Sequence, residues 1–486
     1  MKKISIDPIT RLEGHGKIDI FLNDEGEVEN AYFQIPELRG FEVFSQGRPI
    51  EDMPTITSRI CGVCPEAHLM ASSKAGDAAY GVEIPRTAKM LREVMYSAFF
   101  VGDHTTHFYV LGAPDFIVGP EAPKTERNIL GVVAKVGKEI GGKVIKTRRL
   151  MHEVMGIMGG KTIHPCSSIP GGMSKGINEE ERARLLEIAD YYIEFGLFSL
   201  DIFDKIVLQN PEYLELILGD VYFHKTHSMG TVDENNKVNF YDGKIRIVDT
   251  NGDEIHKYDP KNYLDYIAER VVKWSYLKFP YIKSIGWKGL VDGQDSGIYK
   301  ATPLSRLNAA DGMATPLAQE AYEKFYATLG GKPVHYTLST HWARLIELLY
   351  SAERMKELLE DDEITSDNYR VIPTGMPGEG IGSVEAPRGT LTHHYTCDEK
   401  GRILKANLIV GTTNNYGAMS LSIKKAAQNL IKKGSKLTEG TLNMIEMAFR
   451  AYDPCLSCAT HTIPGQMPIT VRLRSKDGEV LDEMSR

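Results

Sequence analysis

Two Cys-x-x-Cys pairs stand at opposite ends of this chain, Cys61/Cys64 near the start and Cys455/Cys458 near the end, with most of its 486 residues between them. Two intervening residues let both thiolates of a pair face one ion, and Gly62 is expected to ease the tight turn of the first pair. Four thiolates from two segments suit zinc, an iron–sulfur cluster or another soft metal. Zinc ribbons usually place their pairs tens of residues apart inside a small fold. Here the two ends must instead meet inside a large body, which is a way to bury a reactive metal. Cys166 and Cys397 are isolated, and six cysteines in so long a chain do not make a disulfide scaffold.

The segments between read as α+β, a mainly helical large domain with small peripheral β-sheets. Lys17–Leu22 alternates Ile18, Ile20 and Leu22, turns at Asp24-Glu25-Gly26, and returns from Val28 to Ile35. Helical periodicity is expected over Glu66–Tyr80, Arg86 to about Leu111, and about 126–155, 179–209, 261–278, 315–329, 340–360, 414–433 and 437–450. A β-rich insertion is expected at about 220–260, with strands Lys244–Val248 and Glu254–Tyr258, and another pair at Gly389–Thr396 and Leu404–Val410. Residues 1–461 read as one catalytic domain and 462–486 as a C-terminal extension. Apolar residues are 42% of the chain, and the net charge of −8 comes with no long basic run, so nucleic acid is not an expected partner. The longest apolar stretches are too short to cross a bilayer, and no charged-then-apolar leader opens the sequence.

The cysteine motifs have richer surroundings. Arg59-Ile60-Cys61-Gly62-Val63-Cys64-Pro65-Glu66-Ala67-His68 and Asp453-Pro454-Cys455-Leu456-Ser457-Cys458-Ala459-Thr460-His461 resemble the signature pair of nickel–iron hydrogenase large subunits. Four internal elements extend the resemblance: Arg11-Leu12-Glu13-Gly14-His15, Asp103-His104-Thr105-Thr106-His107-Phe108-Tyr109, Gly159-Gly160-Lys161-Thr162-Ile163-His164-Pro165 and Glu385-Ala386-Pro387-Arg388-Gly389.

The resemblance implies reversible heterolytic cleavage of dihydrogen. It assigns nickel to Cys61, Cys64, Cys455 and Cys458, with Cys64 and Cys458 bridging to an iron that carries carbon monoxide and two cyanides. It makes Cys455 the base nearest dihydrogen and Glu13 the relay that carries the proton outward. Arg388 is expected to point at the centre, held by Asp103 and Asp453. Pro387 and Thr412 are expected beside the cyanides, and His68 beside a bridging sulfur. Glu42 and His461 resemble ligands of a buried magnesium, and His164 is expected to face the partner subunit. Taken alone, Glu13 would read as a surface residue in a turn, and His68 as a structural histidine.

With nickel holding four cysteines, Cys166 and Cys397 cannot supply an ordinary iron–sulfur cluster. Gly375-Met376-Pro377-Gly378-Glu379-Gly380 is no dinucleotide loop, because it contains Pro377 and no helix is expected after it. Electrons are therefore expected to leave through an iron–sulfur small subunit. The Cys-Leu-Ser-Cys-Ala-Thr-His variant resembles cytoplasmic, methyl-viologen-reducing, deazaflavin-non-reducing enzymes of methanogens, which pass electrons through a further subunit to heterodisulfide reductase. Deazaflavin- and NAD-reducing hydrogenases stay open as alternatives. So do a zinc-stapled binding protein and an electron-transfer scaffold of the same ancestry. Ile469–Arg474 and Glu479–Asp482 read as a hairpin, and the resemblance implies cleavage after His461 once nickel is loaded.

Overall fold

The computed structural model describes residues 2–7, 9–35, 38–272, 274–432, 437–459, 470–474 and 480–485, with side chains between residues 4 and 458. The chain opens with an antiparallel sheet of β1 (Lys2–Ile6), β2 (Lys17–Leu22) and β3 (Val28–Gln34). Ile18 and Ile20 fall on the buried face, as their alternation requires.

The body is helical. α1 (Pro65–Tyr80) starts directly after Cys64, with Pro65 at the first position, where a missing N–H leaves no bond unmade. α2 (Arg86–Thr106) is buried along most of its length and carries Asp103. The helix expected to reach Leu111 loosens at its end into a π-helical turn, His107–Gly112. The expected helix over 126–155 is broken at Gly137, whose φ is 92°, into Ile129–Val136 and α3 (Lys138–Gly159). α4 (Glu179–Phe203) is started by a reciprocal cap between Asn178 and Glu181. α3 packs on α2, and α5 (Thr340–Glu360) packs on α2 and α4.

The β-rich insertion is a sheet in which β4 (His227–Val232), β5 (Lys244–Val248) and β6 (Glu254–Tyr258) run antiparallel. The expected helix over 261–278 is not formed. A single turn, Tyr263–Tyr266, gives way to an antiparallel pair, β7 (Ile267–Val271) and β8 (Lys278–Ile282). Ile267, Glu269 and Val271 alternate along β7, and Ile267 and Ile282 join the small core under β4–β6, so pairing outweighs helical periodicity here. β9 (Tyr299–Lys300) adds to β4 in parallel.

The sheet nearest the cysteines comprises β10 (Glu379–Ala386), β11 (Gly389–Cys397) and β12 (Ile403–Ile409). β11 and β12 match expectation; β10 does not announce itself in the sequence. It lies against α1, and glycines make the approach possible. A Cβ on Gly382 would sit 2.1 Å from the Ala71 carbonyl oxygen, and one on Gly380 2.0 Å from that of Ala75. α6 (Tyr416–Leu430) and α7 (Glu439–Arg450) pack together beneath the first sheet. β13 (Thr470–Arg474) and β14 (Val480–Ser485) form the expected antiparallel pair. No helix among the described residues is long and apolar enough to cross a membrane.

The largest apolar core gathers side chains from Ile50 through Cys458. The two ends of the chain meet beside it: Leu456 N donates to the Glu13 carbonyl at 3.0 Å, part of a parallel bridge between Glu13 and Cys455.

Candidate metal centre

Cys61 and Cys64 lie on the loop that enters α1, and Cys455 and Cys458 on the loop that follows α7. All four are buried, and their sulfurs lie within 4.8 Å of one another. The separations are 2.8 Å for Cys61–Cys64, 2.7 Å for Cys455–Cys458, 3.5 Å for Cys61–Cys455 and 3.6 Å for Cys64–Cys458. None is a disulfide. Backbone N–H groups of Val63 and Cys64 donate to Cys61 Sγ at 3.2 and 2.9 Å. Gly62 departs from expectation: its backbone is not left-handed, and a Cβ there would meet nothing within 4 Å.

Burial raises the cost of a thiolate on Cys61, yet hydrogen bonds from the other thiols and the charge of Arg388 outweigh it and hold its pKa well below the usual value. Cys64 is pushed up to about 11, hydrogen bonds from Cys455 and Cys458 being outweighed by Cys61 and by burial. Burial and the neighbouring thiols push Cys455 and Cys458 well above the thiol range. Protein groups thus favour the thiolate of Cys61 and disfavour those of the other three, which a soft cation would help to ionise. The donor set fits a metal.

Around it stand the other expected residues. Glu13 Oε2 lies 3.0 Å from Cys455 Sγ, which donates to it, and also accepts from Ser457 N at 3.0 Å. Gly14 allows this, because its φ of 83° and a Cβ position 2.9 Å from Leu456 Cβ exclude a side chain. The Arg388 Nη2 lies 3.3 Å from Asp103 Oδ1 and 3.2 Å from Asp453 Oδ2. Among the described residues, its Nε and Nη1 have no hydrogen-bond partner although Arg388 is buried. Burial raises Asp453 to about 7 against the pull of Arg388. Asp453 is also held at a φ of 55°, in the left-handed region.

A small cavity of about 10 Å³ opens between these groups. Cys64, Cys455, Cys458, His68, Arg388 and Thr412 line its polar side, and Ala67, Ala386, Leu391 and Val410 its apolar side. Thr412 Oγ1 accepts from Cys455 N at 3.1 Å, which leaves its own hydrogen to donate. Pro387 stands between the lining residues Ala386 and Arg388. Burial lowers His68 to about 4, so its ring is neutral.

Glu42 is buried outside the cavity. Its Oε1 accepts from Leu408 N at 2.7 Å and from Lys278 Nζ at 3.2 Å, and Lys278 also reaches Glu269 at 2.9 Å. Burial raises the Glu42 pKa despite Lys278. His461 lies outside the described residues. His164 Nδ1 is 3.0 Å from the Ser58 carbonyl oxygen, on the loop side of Cys61.

Several contributors have no counterpart among the residues expected from sequence. Arg306, fully buried, meets Glu347 through Nε and Nη2 at 2.6 Å each and Glu385 through Nη1 at 3.1 Å. It also donates to the carbonyls of Ala386 at 2.9 Å and Pro387 at 3.1 Å, fixing the turn that presents Arg388. Asn415 Nδ2 donates to the Arg388 carbonyl at 2.6 Å. Glu385 is visible in the sequence as part of a motif; Arg306, Glu347 and Asn415 carry no spacing signal.

Residues 39–135 and 216–461 match the nickel-dependent hydrogenase family, and residues 3–38 match the HoxL-like family. The chain is 48% identical over 481 residues to an F420-non-reducing hydrogenase iron-sulfur subunit of Archaeoglobus profundus, covering 99% of each. It is 42% identical to an F420-non-reducing hydrogenase subunit of Methanothermobacter thermautotrophicus, again over 99% of each. A crystal structure of an NAD+-reducing nickel–iron hydrogenase in the H2-reduced state superposes with a TM-score of 0.88 at 37% identity, over 95% of this chain and 100% of that one. With the buried cysteine quartet, these likenesses make the chain a large-subunit member of the nickel-dependent hydrogenase family.

Proposed function

We propose that Cys61, Cys64, Cys455 and Cys458 would hold the nickel of this hydrogenase, and that Cys64 and Cys458 would also serve as ligands to an iron bearing carbon monoxide and two cyanides. The observation that carries the reading is the Glu13 carboxylate set 3.0 Å from Cys455 Sγ, at the edge of a buried four-thiol cluster. When bound, the two-metal centre supplies the redox couple that polarises dihydrogen and takes up its electrons. Cys455 Sγ takes the proton and passes it to Glu13 Oε2, and the Ser457 amide keeps that oxygen in place. Asp103 and Asp453 hold the Arg388 guanidinium so that its unengaged N–H edge puts a fixed positive charge beside the cavity. Thr412 and Pro387 would stand beside cyanides bound there, and His68 would donate toward a metal-bound cysteine sulfur. The apolar wall of Ala67, Ala386, Leu391 and Val410 excludes water.

Electrons leave through an iron–sulfur small subunit, docked on the side of the His164 loop and the Asp103 helix. We infer an onward route to heterodisulfide reductase through a further electron-transfer subunit, in the cytoplasm of a methanogenesis-type metabolism; the likeness to F420-non-reducing hydrogenases supports an acceptor other than deazaflavin. The likeness to an NAD+-reducing enzyme supports the second reading, NAD reduction, because the acceptor is chosen by partner subunits. Residues 1–461 form the catalytic domain, and 462–486 are removed on maturation. Magnesium is assigned to Glu42 and His461; two carboxylates, buried Glu42 and half-buried Glu269, around the single Lys278 favour an added cation there.

Glu13→Gln tests the proton relay in the purified complex. The variant is expected to keep its nickel and iron and lose hydrogen-dependent dye reduction by about 10²–10⁴-fold. Parental turnover in Glu13→Gln would remove Glu13 from the path, and zinc in place of nickel in the parent would overturn the whole assignment.

A further inference from the structure

His68 and Ser72 are four residues apart and share the inner face of α1, and His393 and Tyr395 are two apart and share one face of β11. Where the helix meets the sheet, these two pairs interlock. His68 Nδ1 lies 3.1 Å from His393 Nε2, His393 Nδ1 lies 2.6 Å from the Tyr395 hydroxyl, and that hydroxyl lies 2.9 Å from Ser72 Oγ. All four side chains are fully buried, and His68 also lines the cavity beside Cys64 and Arg388. None of these four groups is a carboxylate, and the Tyr395 hydroxyl is also hydrogen-bonded to Thr57.

A neutral imidazole donates through one nitrogen and accepts through the other, so the run has two self-consistent settings. In the first, Ser72 donates to the Tyr395 oxygen, Tyr395 donates to His393 Nδ1, and His393 Nε2–H donates to His68 Nδ1. The His68 proton then sits on Nε2. In the second, every bond reverses, and His68 Nε2 becomes a bare acceptor. Thiolate sulfur only accepts, so a ring beside the cysteine quartet serves it in the first setting alone. Tyrosine and serine can each donate or accept, and each side of the network is satisfied only as a unit.

We propose that His393 and Tyr395 are positioning residues of the hydrogenase centre, locking His68 in the tautomer that carries its proton on Nε2 and donates to a metal-bound sulfur. The inference rests on the assignment of His68 above, and it adds the groups that decide which way the His68 proton points. Tyr395→Phe deletes the hydroxyl and keeps the ring. His393→Leu breaks the run, and His393→Gln keeps one donor and one acceptor on the side chain.

The test uses the complete complex, with the midpoint potential of the nickel EPR signal and turnover normalised to bound nickel as readouts. Tyr395→Phe and His393→Leu are expected to shift the potential in the same direction as His68→Leu, and to lower kcat by about tenfold. His393→Gln is expected to stay near the parent in both. If His68→Leu shifts the potential while Tyr395→Phe and His393→Leu do not, the locking role is wrong and the His68 assignment stands. If His68→Leu leaves the potential unchanged, the assignment and the lock both fall. Reading the potential on the nickel-loaded fraction keeps poor loading from mimicking either result.

Discussion

At the residue scale, Lys300 is the charge least provided for. It ends β9 at 3% exposure, and among the described residues its Nζ has one hydrogen bond, a 3.5 Å approach to the His224 carbonyl oxygen. Burial lowers its pKa to about 7, with Asp292 opposing weakly. An unfolded lysine titrates near 10.4. The folded pKa is the lower one, so the unfolded chain binds the proton more tightly, and the cost of Lys300 is full below about pH 7 and fades as pH rises toward 10. Lys300→Met is expected to raise Tm at pH 6.5, and the gap from the parent should shrink steadily to pH 10. A gap that is constant with pH would mean the ammonium is not penalised. Arg306 is the contrasting case, a buried cation matched by Glu347 and Glu385. The difference marks what a sequence can convey about single residues. The four cysteines are legible because their spacing is a chemical pattern, and Glu13 and Arg388 because the motifs around them resemble a known family. Arg306, Lys300, His393 and Tyr395 are ordinary letters until packing removes water from around them.

At the element scale, the seat of Cys64 and His68 is set by how closely α1 approaches β10. Alanines at 67, 71, 75 and 79 form one stripe of α1, and Gly380 and Gly382 face it from the strand. Gly382→Ala forces a Cβ against the Ala71 carbonyl and the Ala75 amide, so helix and strand must separate. A destabilisation of about 1–3 kcal/mol is expected from urea unfolding, with reduced nickel content after purification. Gly62→Ala is the control: despite lying between the ligands, it meets open space and should match the parent. Equal behaviour of the two variants would show that the contact does not seat the metal loop. The same glycines explain why β10 is hidden in the sequence, since they dilute the alternation that identifies a strand. The helix expected over 261–278 fails for the opposite reason. Its apolar residues satisfy both periods over a short span, and the partner strand Lys278–Ile282 decides between them.

At the scale of the whole molecule, the fold brings the ends of the chain together with little between them. The Cys455–Cys458 segment straddles two apolar cores: Cys455 and Cys458 pack into the large one and Leu456 into the one beneath the first sheet. Its ties to the N-terminal segment include Leu456 N to the Glu13 carbonyl, Ser457 N to the Glu13 carboxylate, Arg39 Nη1 to the Ser457 carbonyl, and the thiols themselves. Burial and the neighbouring thiols disfavour ionisation of Cys64, Cys455 and Cys458, which makes the junction dependent on a bound cation. The helices behind it, α2 and α5, are buried along most of their length and pack on each other, and they reach the centre through Asp103 and the Glu347–Arg306 pair. Metal loading should therefore act locally. Comparing hydrogen exchange of the nickel-loaded protein with one produced without nickel, the Leu456 and Ser457 amides are expected to exchange roughly tenfold faster or more in the metal-free form. Amides of α2 and α5 should exchange alike in both. Equal protection at Leu456 would mean that packing alone closes the junction and that the metal enters a finished site, whereas faster exchange throughout α2 and α5 would mean that the centre organises the entire body.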